Sequence, residues 1–138
     1  KEGKDVTLVT YGSTWRLVME TADELEKIGI SAEVIDIQSL IPFDLSHEIA
    51  ESVKKTNRLV VIDEDVEGGT SAFILQQIIE KQKAFRYLDA DPLTISAENH
   101  RPAYASDGDY FSKPSVDDMV EKIYAMFHES NPTKFPKI

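Results

Sequence analysis

"VVIDEDVEGGTSAF", residues 60 to 73, decides the fold. An apolar run ends in acidic residues, a Gly-Gly pair follows, and the next segment has helical spacing. A strand that gives way to a helix within a few residues is half of a β-α-β unit. Within "RLVVID" (58–63) the residues from Leu59 to Ile62 are continuously apolar, the pattern of a strand buried on both faces. From about Thr70 to Lys83 a helix is expected, with Ala72, Leu75, Ile78 and Ile79 turned inward.

The same unit recurs upstream. "VTLVTYG" (6–12) is rich in β-branched residues, and "STWRLVMETADELEKIG" (13–29) places Trp15, Val18, Ala22 and Leu25 on one helical face. Ser13 or Thr14 can cap that helix and Gly29 can end it. "SAEVIDI" (31–37) is a second strand. "IPFD" (41–44) leads into a second helix with Asp44 as cap and Leu45, Ile49 and Val53 inward. Downstream, "PLTISA" (92–97) is a short fourth strand, and residues 98–114 read as a long surface loop. "SVDD" (115–118) has the outline of a capping box with Asp in place of Glu. It opens a last helix using Val116, Val120, Ile123 and Phe127, and the tail after it is expected to be extended. Strands alternating with helices predict one α/β domain over residues 1–138: a three-layer α/β/α sandwich on a mostly parallel sheet.

Composition removes several function classes. Twenty-five acidic residues against 15 basic give a net charge of -10. Nucleic acid and anionic membrane surfaces are therefore poor partners, since both select clustered Lys and Arg. With no cysteine, thiolate zinc sites and cysteine nucleophiles are excluded, and a cytoplasmic location is expected and compatible. No apolar run approaches the ~20 residues of a membrane span.

The chemistry offered by single residues is sparse. The helix start after Gly69 could face a phosphate. Yet no Lys-Ser/Thr follows the glycines, no G-x-G-x-x-G is present, and Asp63, Glu64, Asp65 and Glu67 would repel an anion. The plain reading is a backbone turn that needs glycine. The acidic run lacks the alternating ligands of a calcium loop. Among the three histidines, His100 stands beside Arg101 in the long loop, while His47 and His128 have no catalytic companion. No catalytic, cofactor-binding or metal-binding residue is assigned.

The order of the segments carries more. "VTYG", "ELEKIGISAEVID", "SLIPFD", "KKTNRLVVIDE", the "EGG" turn, "AFRYLDA" and "RPAYA" resemble the C-terminal domain shared by transketolase-like thiamine diphosphate enzymes. The resemblance is nearest to the beta subunit of the decarboxylating component of 2-oxo acid dehydrogenases, and it covers nearly the whole chain. It implies a mixed sheet of five strands, the antiparallel one lying just before Lys1, in a piece of a longer protein. Thiamine diphosphate and magnesium would then be bound by other domains, with no autonomous catalysis here. The implied role is assembly with alpha and beta parts of the enzyme in an oligomer. Docking of a basic acyltransferase subunit-binding domain is also implied, and an acidic surface would steer it. The interface residues so implied are Glu64, Glu67, Gly68, Gly69, His100, Arg101 and the C-terminal Ile138. The loop "ENHRPAYA" departs from the family's more proline-rich pattern. Transketolase, deoxyxylulose-phosphate synthase, a free-standing interaction module and a small-anion sensor are the alternatives.

Overall fold

The computed structural model describes residues 1–101, 104–105 and 107–137. Four strands form one sheet in the order β2-β1-β3-β4: β1 (Val6–Thr10), β2 (Ala32–Asp36), β3 (Leu59–Val66) and β4 (Leu93–Ala97). Every pairing among these strands is parallel. Alternate residues feed opposite layers. Leu8, Val60 and Ile62 join one core with helix α1 (Thr14–Lys27) and helix α5 (Val116–Ser130). Val9, Leu59 and Val61 join the other with α2 (Glu48–Thr56) and α3 (Thr70–Gln76). The expected three-layer sandwich is thus present.

One feature of a mixed sheet also survives. Lys1 and Val34 exchange both backbone bonds, at 3.2 and 2.9 Å, which is the mark of an antiparallel pair. It lies on the free edge of β2, beside the place where the resemblance puts an antiparallel strand.

Helix α1 ends as the sequence predicts. Gly29 has φ +83°, and Gly29 and Ile30 donate to the carbonyls of Glu26 and Leu25, a Schellman closure for which glycine is the natural residue. Its start differs: Ser13 holds the cap position without a side-chain cap bond. Its buried stripe is Val18, Thr21, Ala22 and Leu25, whereas Trp15 lies 39% exposed. Asp44 does cap α2, but from a distance. Its carboxylate accepts from the N–H groups of Glu48 and Ile49 at 3.1 and 2.9 Å, so Leu45 falls outside the helix and is exposed.

Past Gln76 the helix widens to a π-helical turn, Gln77–Lys81, then a 3-10 turn, Ala84–Tyr87. Ser71, Ile74 and Ile78 are buried, and the expected Leu75 and Ile79 pack against them half-buried, whereas the expected Ala72 is exposed. The long loop is interrupted by a short helix, α4 (Asp107–Ser112). The capping box at α5 is formed, Ser115 and Asp118 bonding each other's N–H. The tail is not extended. Phe135 folds back and is buried against Phe127 and Tyr124, and the carbonyls of Phe135 and Pro136 accept from His128 and Tyr124, both at 2.8 Å.

Beneath α2 lies a buried polar network. Thr7 shares hydrogen bonds of 2.7 Å with Ser52 and Thr56, and Ser52 and Lys55 both donate to the buried Glu33 carboxylate. Burial pushes that carboxyl up. The bonds from Lys55, Ser52 and the Gly3 N–H outweigh it and hold Glu33 below its ordinary range. A depressed native pKa stabilises the fold above the unfolded glutamate value of about 4.3 and is lost as pH falls through the native value. We expect the urea midpoint to drop on acidification below about pH 4.5, with a shallower drop in Glu33→Gln. Equal slopes in the two proteins would remove Glu33 from the acid response.

Candidate interface site

The sheet order reverses between β1 and β3, because β1 leads to β2 on one side and β3 lies on the other. In open α/β sheets the crevice outside the carboxyl ends of such strands is the usual ligand site. Here it is formed by Tyr11, Gly12 and Ser13 after β1 and by Asp63, Glu64 and Asp65 at the end of β3.

The chain fills this crevice itself. Asp63 is 1% exposed. It accepts from the Tyr11 hydroxyl at 2.9 Å and from the N–H groups of Asp65 at 3.1 Å and Ser71 at 3.2 Å. The Ser71 bond places a carboxylate at the start of α3, where an incoming anion would have to sit. Burial, with the carboxylates of Asp63 and Asp65 close by, raises the Tyr11 hydroxyl above its ordinary pKa. Outside that contact, Lys113 of the α4–α5 connection makes a 3.1 Å ion pair with Glu64. The neighbouring Ser13 hydroxyl and Lys113 hold Glu64 below the usual carboxylate range.

The glycine turn follows. Gly68 has φ +85°, a conformation that disfavours any side chain. A Cβ on Gly69 would stand 2.4 Å from the Asp65 carboxylate. These glycines shape a turn, and Gly69 brings the Asp65 carboxylate against it. The strand ends therefore do not fit a diphosphate, whose place is taken by fixed carboxylates. Among the described residues no cluster of three or more His, Cys, Asp or Glu is arranged to hold a metal ion, and no helix is long and apolar enough to cross a membrane.

Glu64, Glu67, Gly68 and Gly69 thus occupy one corner of the carboxyl edge of the sheet. Val66 is in register with Ala97 of β4, so His100 and Arg101 leave the same edge one strand away. Glu67 lines a small cavity of about 210 Å³ with Glu98 and Asn99. Among the described residues His100 bonds locally, its Nδ1 lying 3.0 Å from the Arg101 carbonyl oxygen. The Arg101 guanidinium donates to the Tyr104 hydroxyl at 2.6 Å and stacks on that ring. Among the described residues no ion pair joins the His100–Arg101 pair to the acidic corner. Ile138 lies outside the described residues.

The acidic run is visible in the sequence, but Tyr11 and Lys113 as its partners are not. Tyr11 stood in the quoted "VTLVTYG", yet nothing local marks it as the hydroxyl that faces Asp63.

The family model for the transketolase C-terminal domain matches residues 1–114. The chain is 40% identical over 121 residues to "Pyruvate dehydrogenase E1 component subunit beta-2, mitochondrial" of Oryza sativa subsp. japonica, covering 87% of this chain and 31% of that one. It is 35% identical over 130 residues to "Pyruvate dehydrogenase E1 component subunit beta" of Rhizobium meliloti (strain 1021), covering 94% and 28%. The chain therefore spans about a third of the length of the curated relatives it matches. Among solved structures it matches a split-gene transketolase, an inactive beta4 tetramer, with TM-score 0.69 and 28% identity over 91% of this chain and 39% of that one. The chain belongs to the transketolase C-terminal domain family.

Proposed function

We propose that this domain is the assembly-forming C-terminal part of the beta component of a thiamine diphosphate-dependent 2-oxo acid dehydrogenase. Its substrate would be pyruvate or a branched-chain 2-oxo acid, with oxidative decarboxylation and acyl transfer to a lipoyl group carried out by the whole enzyme. The domain itself would hold neither thiamine diphosphate nor magnesium. Its role would be to join the alpha and beta parts in an oligomer and to present an acidic edge to an acyltransferase subunit-binding domain. The observation that carries this reading is the filled crevice. Where an enzyme domain of this topology would keep a ligand pocket, Asp63 and Tyr11 close it, and acidic side chains are left facing outward beside it. The similarity to pyruvate dehydrogenase beta subunits over 87% and 94% of this chain supports the same reading.

The split-gene transketolase neighbour favours a second reading, the corresponding domain of a transketolase. Titration calorimetry with an isolated acyltransferase subunit-binding domain separates the two. Binding that weakens about tenfold or more between 50 and 200 mM salt is expected for a charge-steered contact. Glu64→Lys with Glu67→Lys should abolish the heat. Absence of heat at low salt, or binding indifferent to both charges, would remove the dehydrogenase partner from the reading.

A further inference from the structure

A second surface, independent of the strand ends, runs along the flank of α1 and α5. Two cavities of about 480 and 470 Å³ lie end to end along it as an interrupted groove, with Glu24 and Asp117 lining both. Its floor is apolar, from Leu17 of α1 through Val116 and Val120 to Tyr124 and Ala125 of α5. Tyr110 of α4, 63% exposed and edge-on to the exposed Phe111, stands at one end. The rim is acidic. Glu20 and Glu24 face it from α1, Asp109 from α4, and Asp117 and Glu121 from α5. Glu24 is paired with Lys27 and Asp109 more loosely with Lys113. Among the described residues Glu20, Asp117 and Glu121 make no ion pair within 4.0 Å.

The chain itself brings a cation to this groove. Its tail is pinned to α5 through His128 and Tyr124, and the next residue, Lys137, lines the groove. Along α5 the lining runs from Val116 to His128, about 18 Å at the helical rise. That length suits a helix of three turns. We propose that this groove docks a cationic amphipathic helix of a partner protein, its apolar side on Leu17, Val120 and Tyr124 and its Lys or Arg side chains on Glu20, Asp117 and Glu121. The mode is that of a helix laid in a groove, with apolar anchors for affinity and charges for orientation.

The test uses the 138-residue chain and a fluorescein-labelled amphipathic peptide of about 14 residues built from Leu and Lys, long enough for the groove. Fluorescence anisotropy gives affinity, and amide chemical shifts give location. Shifts are expected at Leu17, Val120 and Tyr124. The Glu20→Gln/Glu121→Gln variant should bind about tenfold more weakly, while Glu2→Gln/Glu48→Gln, an equal charge change on another face, stays within about twofold. The same peptide scrambled to remove its apolar side should also bind about tenfold more weakly. Equal losses in both variants, or equal binding of the scrambled peptide, would show attraction to the net acidic surface and overturn the proposal. Concentration-dependent shifts at the same residues without peptide would overturn it in favour of a second copy of this chain.

Discussion

Asp63→Ala is expected to destabilise the domain by about 3 kcal/mol, because it leaves one buried and two partly buried donors without their acceptor. Asp63 ties together three pieces of chain. Tyr11 closes the end of β1, Asp65 is the tip of β3, and Ser71 is the first turn of α3. Alanine removes the acceptor from all three without removing their need for one, and water cannot readily reach a carboxylate that is 1% exposed. Asp63→Asn keeps one oxygen and the shape, so about half of that loss is expected, while Tyr11→Phe, which removes a single bond, should cost about 1 kcal/mol. Urea unfolding reads all three, with the midpoint falling and the slope unchanged. A loss below about 1 kcal/mol for Asp63→Ala would mean that the crevice opens easily and can admit a ligand.

Gly3→Ala is the second large effect. A Cβ at this position would stand 2.2 Å from the Ala32 carbonyl carbon and the Glu33 nitrogen. Backbone of a strand paired along its length with β1 cannot yield as a side-chain tip can. The first residues would have to lift away, breaking the Lys1–Val34 pair and the Gly3 bond to Glu33. The expected loss is about 2 kcal/mol, the scale of an overpacked site. Hydrogen exchange should show the Val34 amide newly unprotected while Leu8 and Val61 stay protected. Protection at Val34 equal to that of the parent would show that the segment finds another path past β2.

Much of the architecture could be read from local pattern. Each strand was marked by its apolar run, and the Schellman closure at Gly29 and the Ser115–Asp118 box were written in single residues. Failures occurred where tertiary context overrode local spacing. Trp15 satisfies the helical stripe of α1, but Thr21 takes the buried place, its hydroxyl bonded to the Leu17 carbonyl at 2.8 Å and so able to enter an apolar layer. The segment "DGDYFS" forms α4 although its aromatics face outward, so no buried stripe announced it. For the interface, the acidic residues were visible as composition. Which one is structural and which are free depended on Tyr11, 52 positions from Asp63, and on Lys113, and no local pattern reports a pairing of that span.

The π-helical turn has a consequence for how this domain can change length. Its mark is the bond from the Gln82 N–H to the Gln77 carbonyl, 2.9 Å and five residues back. One residue more than an α-helix needs has been taken up within the helix rather than in a loop. The widened turn sets the phase of everything after it, including the Gln82 amide that donates to Asp44 at 2.8 Å. Asp44 in turn caps α2, so a single-residue deletion between Gln77 and Lys81 would rotate Gln82 by about 100° and loosen the start of a different helix. Insertions and deletions in this domain are therefore expected to register here as changes of helical phase.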